Sequence, residues 1–110
     1  MSKIRALSVC QPFAEQILRG TKKIEYRSRA TKIRERVYIY ASKTPRPVKD
    51  WEEMNMEAGD LPTGVLVGTV EVTGCTGKPG DYQWHLAHPR RLARMLKPKN
   101  QSQPVWFYPF

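Results

Sequence analysis

The chain has 110 residues, 40% of them hydrophobic, enough for one domain with a real core and no need of a metal or disulfide staple. Nineteen Lys and Arg against ten Asp and Glu leave a net charge of +9, which favours polyanionic partners. No run of 18 apolar residues is present and the N-terminus lacks a signal-type apolar stretch, so membrane and export readings are set aside and a cytoplasmic protein is expected.

Ile4 to Val9 reads as a strand that stops at Gln11-Pro12. A helix follows, with Phe13, Ala14, Ile17 and Leu18 at helical spacing and Gly20 placed as a C-terminal cap. Lys23 to Arg27 alternates as a strand, with Ile24 and Tyr26 on one face and Lys23, Glu25 and Arg27 on the other, the charged face being expected in solvent. Arg36 to Ala41 is a further strand, and Pro47 to Ala58 reads as an acidic surface helix with Trp51 and Met54 as its apolar contacts. Val65 to Thr73 is the strongest strand in the chain. Gly74 to Gly80 is expected as a loop, while Leu92, Met95 and Leu96 suggest a helix for which Pro89 and Pro98 leave little space, so 90–97 stands open between helix and strand. Val105 to Phe110 is β-prone and suited to closing a sheet. Many short strands with two or three helices predict a small α+β barrel-like domain spanning 1–110.

Charge is unevenly spread. Eleven basic residues lie between Arg19 and Lys49 against only Glu25 and Glu35, and Arg90, Arg91, Arg94, Lys97 and Lys99 form a second run without acids. The acids gather at Asp50, Glu52, Glu53, Glu57 and Asp60, so a polarised surface is expected. Cys10 and Cys75 form no C-x-x-C pair and are read as reduced thiols, Cys10 as a core or turn residue. With His85 and His88 they match no zinc spacing, and neither a phosphate-binding glycine loop nor a G-x-S-x-G elbow is present, so no metal or cofactor is expected.

Five strings, in order, resemble the ASCH family, the activating-signal-cointegrator homology domains of the PUA-like fold. They are Leu7-Ser8-Val9-Cys10-Gln11-Pro12-Phe13-Ala14, Gly20-Thr21-Lys22-Lys23-Ile24-Glu25-Tyr26-Arg27, Val37-Tyr38-Ile39-Tyr40-Ala41-Ser42-Lys43, Val67-Gly68-Thr69-Val70-Glu71-Val72, and Trp84-His85-Leu86-Ala87-His88-Pro89-Arg90 with the closing Trp106. The resemblance implies a PUA-like β-barrel with a helix beside it and a cleft between them for RNA or a nucleoside-like ligand. It also implies a possible hydrolase, since family members include N4-acetylcytidine amidohydrolases and a ribonuclease. Lys22 matches the amidohydrolase pattern, and Glu25 stands where that pattern has its catalytic Thr.

The candidate catalytic pair is therefore Lys22 and Glu25, the Lys to neutralise an anion and the Glu to accept a proton or a base edge. The same charges also suit a plain ion-pair ladder on a strand. Candidate ligand contacts are Ser8, Gln11, Lys22, Arg27, Ser42, Lys43, Trp84, Arg90 and Arg91, with single-stranded RNA or a nucleoside as partner. Gln11 equally suits capping its own helix, and Trp51, Trp106, Tyr38 and Tyr40 are further rings able to stack on bases. If the two basic runs hold a single strand by three to five phosphates, log K should fall with log salt at a slope of roughly −2 to −3.5. A salt titration checks this, and a flat slope removes the polyanion reading.

Overall fold

The computed structural model describes residues 3–110. Eight elements follow in chain order: β1 (Ala6–Val9), α1 (Phe13–Arg19), β2 (Ile24–Arg27), β3 (Arg36–Ala41), α2 (Val48–Glu52), β4 (Val65–Lys78), β5 (Asp81–Leu96) and β6 (Trp106–Phe107). The strands form one mixed sheet in the order β2-β5-β4-β3-β1-β6, parallel only between β1 and β3.

The sheet curls into a half-barrel around Leu7, Val9, Val37, Ile39, Val70, Val72 and Trp84, all nearly inaccessible to water. The helix α1 lays Ala14 and Ile17 onto this core. Gly68 permits the close approach, because a Cβ there would fall 2.5 Å from the Arg90 carbonyl oxygen and strike the Leu18 side chain. A smaller cluster of Ala6, Tyr40, Leu66 and Phe107 packs on the opposite face of the sheet. This is a barrel-like α+β arrangement with two helices.

Two local expectations are corrected and one open choice is resolved. The segment Gly74–Gly80 is not a loop: β4 and β5 form one long hairpin joined only by Pro79 and Gly80. Pro fixes the first turn position and Gly80, at φ 88°, supplies the positive φ of the second, as a type II turn requires. Gly74 and Gly77 are weak strand formers, but the ladder to His85, Trp84, Gln83 and Tyr82 carries them.

The segment 90–97, open between helix and strand by sequence, is strand as far as Leu96. Leu92 and Leu96 are four apart, a spacing that suits both a helix and one face of a strand, and both pack on the smaller cluster. Pro89 is accommodated beside His88, at φ 53°, where the β4–β5 register shifts. The acidic helix of 47–58 is reduced to Val48–Glu52. Trp51 is its one deep anchor, fully buried with its indole N–H donated to the Arg46 carbonyl, and Met54 is only half-buried. Without a second buried apolar contact, a helix this short does not extend by propensity alone.

On α1, Glu15 accepts Arg91 through both oxygens, at 2.8 and 3.0 Å, and Arg19 at 2.7 Å. The Arg91 guanidinium holds the Glu15 carboxyl below its ordinary value against the opposing effect of burial, with Arg19 adding to the lowering. Both cations stay about half exposed, so Glu15→Gln should cost only about 1 kcal/mol at neutral pH. That stabilisation is complete above about pH 4.5, the ordinary value, and is lost as pH falls through the depressed one. Thermal denaturation of wild type and Glu15→Gln should therefore show a gap that closes on acidification; a gap independent of pH contradicts this.

Candidate functional site

The two edges of the curled sheet, β2 and the β1–β6 pair, meet without a shared backbone ladder. Side chains close the seam instead. An Arg27 guanidinium N–H donates to the Ser8 carbonyl at 2.8 Å, tying β2 to β1. Inside, Trp84 of β5 stacks on Trp106 of β6 with ring centroids 5.6 Å apart and 8° between planes. Ser8 holds the other flank as well: its N–H donates to the Val105 carbonyl at 2.9 Å and its hydroxyl to the Gln103 carbonyl at 2.7 Å.

Glu25 is the centre of this seam. The sequence reading put its strand face in solvent, yet Glu25 is only 5% exposed while Tyr26, on the opposite face, is 62% exposed. The polarity of β2 is thus inverted, because its charged face satisfies itself with partners. Two Arg27 N–H groups converge on Glu25 Oε2, one of them at 3.0 Å, and Lys22 Nζ lies 3.4 Å from Oε1. Lys22 reaches this point because Gly20, left-handed at φ 80°, ends α1, and the Thr21 and Lys22 N–H groups then both donate to the Gln16 carbonyl. Aromatic faces shelter the cations. Lys22 Nζ sits 4.7 Å from the Phe13 ring centroid and 5.3 Å from that of Tyr26, while Arg27 lies over Trp84 at 5.5 Å.

Over the seam opens a pocket of about 510 Å³, a size that suits one small ligand. Its walls are Glu25, Tyr26 and Arg27 of β2, Phe13 at the start of α1, the 42–44 turn with Arg46, and the strap 102–105. The turn is pinned by Ser42 N–H to the Val9 carbonyl (3.0 Å) and Arg46 N–H to the Gln11 carbonyl (2.8 Å). The Ser42 hydroxyl lies 3.4 Å from the Cys10 sulfur and 3.1 Å from the Thr44 carbonyl. Arg46 pairs with Asp50 at 3.1 Å and covers Phe13 at 5.0 Å. Lys43 joins no ion pair among the described residues, and the pocket retains an excess of positive charge.

Of the residues singled out from sequence, Ser8, Glu25, Arg27, Ser42 and Lys43 line this pocket, and Lys22 lies just behind its Phe13–Tyr26 wall. Four others stand elsewhere. Gln11 is 1% exposed, accepting the Glu15 N–H at 3.0 Å and donating to the Pro62 carbonyl at 3.0 Å, so it serves its own helix and the 62 loop. Trp84 is buried, with its indole N–H on the Arg29 carbonyl. Arg91 is engaged by Glu15, and Arg90 is exposed opposite Thr69. Sequence reasoning missed Phe13, Tyr26, Thr44, Arg46 and the strap as pocket walls. Phe13, adjoining the Gln11-Pro12 turn, and Tyr26, between Glu25 and Arg27, both lay inside strings singled out above.

No group of three or more metal-ligating side chains gathers among the described residues, and no described helix is long and apolar enough to cross a membrane. The family model for the ASCH domain matches residues 7–107, nearly the whole chain. No curated protein matches the sequence.

The seam assigns a measurable energy to the Glu25 cluster. Glu25→Gln leaves two sheltered cations without their carboxylate and should cost about 3 kcal/mol, far more than a substitution on an exposed strand. In a double-mutant cycle, Glu25→Gln and Arg27→Gln should couple by about 1–3 kcal/mol in chemical denaturation. Additivity of the two would mean that the ions do not act together.

Proposed function

Since the chain belongs to the ASCH domain family, we propose that it is a PUA-like domain that binds single-stranded RNA, or a nucleoside derived from it, with one base seated in the seam pocket. The observation that carries this reading is the exposed Tyr26 ring beside Phe13, set in a pocket with an excess of cations. An aromatic ring this exposed suits stacking, and base stacking is how single strands are gripped. Lys43 and the Lys22–Arg27 cluster attract phosphate, while the Ser42 and Ser8 oxygens and the Thr44 carbonyl offer hydrogen bonds to a base edge or ribose. A purely apolar ligand would leave the excess positive charge of the pocket unanswered, and a purely ionic one would not use the exposed Tyr26 ring.

A second reading, a small hydrolase acting through Lys22 and Glu25, has one specific observation in its favour: the 3.4 Å contact between them at the pocket wall. Against it, Glu25 Oε2 already accepts two guanidinium N–H groups, which leaves little room for work as a general base. The binding reading therefore takes precedence.

Tyr26→Ala should weaken RNA binding by about tenfold or more, since stacking contributes about 1–3 kcal/mol per base, and should lower stability by no more than about 1 kcal/mol through its lost contact with Lys22. Tyr26→Phe should bind like wild type. Unchanged affinity in Tyr26→Ala, measured by fluorescence anisotropy, would remove the pocket from the account. Incubation with N4-acetylcytidine should release no cytidine; turnover near ~1 s⁻¹, lost in Lys22→Ala, would establish the hydrolase instead.

A further inference from the structure

A second depression, of about 960 Å³, runs from the seam pocket toward the β5–β6 connection. Tyr40, Lys43 and Ser102 line both, so the two form one continuous track. Lys97 and Lys99 stand along the far part, and no carboxylate is among its lining residues. None of Lys43, Lys97 and Lys99 enters an ion pair among the described residues. The backbone at the far end of the track is nevertheless fixed: Lys99 and Asn100 N–H both donate to the Pro109 carbonyl, at 2.8 and 3.0 Å, and the Asn100 side-chain amide donates to the Tyr108 carbonyl at 2.7 Å.

Three unneutralised ammonium groups on an anchored track, continuous with a pocket sized for one nucleoside, match a repeating anion better than a single one. We propose that this track carries the phosphodiester backbone of the strand whose base occupies the seam pocket, so that the ligand is a nucleotide within a single strand and not a free nucleoside. The inference rests on the seam-pocket reading and adds its direction: the strand leaves past Lys43 toward Lys97 and Lys99. The lysines act as point charges on phosphates, so they supply affinity and salt dependence without sequence preference.

The test compares wild type with the double variant Lys97→Ala/Lys99→Ala, both positions being exposed. The probes are a labelled random-sequence single-stranded RNA of about eight nucleotides, within the usual site size, and the four nucleoside 5′-monophosphates. The variant should bind the RNA more weakly, with a salt slope shallower by about 1.4, corresponding to two lost phosphate contacts. Its binding of the monophosphates should match wild type. An unchanged RNA slope overturns the track, and so does an equal loss for RNA and monophosphates, which would place the lysines at the pocket itself. Competition by duplex RNA as effective as by the single strand also overturns it. Absence of RNA binding in the wild type is a different outcome and overturns the seam-pocket reading beneath it.

Discussion

The Arg27 contact with the Ser8 carbonyl is the constraint from which the rest of the site follows. A six-stranded sheet whose edges are a four-residue strand and a two-residue strand has little backbone with which to close itself. Arg27 bridges that gap with one planar group that meets a carbonyl on β1 and the Glu25 carboxylate on its own strand. Glu25 is required because an unpaired guanidinium at the seam would be costly, and Lys22 occupies the carboxylate oxygen that Arg27 leaves open. The aromatic faces of Trp84, Phe13 and Tyr26 offset part of the lost hydration of these cations.

Closing a barrel with side chains instead of a ladder leaves a notch where the missing hydrogen bonds would have been. The strap 102–105 covers one flank through Ser8, and the 42–46 turn covers the other through Val9 and Gln11. What remains between them is the pocket. Its polarity is therefore inherited from the fold: the same cations that hold the seam make its floor positive, while Tyr26 faces outward because its neighbours in β2 face in. If the pocket binds as proposed, substitutions at Glu25 or Arg27 act on both stability and recognition, whereas Lys43, which joins no ion pair among the described residues, acts on recognition alone.

Much of this was legible in the sequence where a local rule and the tertiary structure agree. The β1–α1 turn at Gln11-Pro12, the Gly20 cap and the alternation of β3 all fall where spacing placed them. The inversion of β2 was not legible, since alternation shows that two faces exist but not which is buried, and Glu25 goes inside only because Lys22 and Arg27 accompany it. Trp84 and Gln11 carry chemistry that suits a ligand equally well, yet each finds a partner within the fold, Arg29 for one and Glu15 with Pro62 for the other. The strap had no signal at all. Residues 102–105 become a wall only because β6 returns to pair with β1, a contact nearly a hundred residues apart in the chain.

The central claim is that the seam pocket is where a single strand docks. Its most direct test is backbone amide chemical-shift mapping during titration with a short single-stranded RNA. The account predicts that the largest changes fall on Tyr26, on Ser42 to Thr44 and on the strap from Ser102 to Val105, excluding Pro104, which has no amide proton. Changes confined to the β4–β5 hairpin tip around Gly80, or to the acidic segment from Asp50 to Asp60, would contradict it.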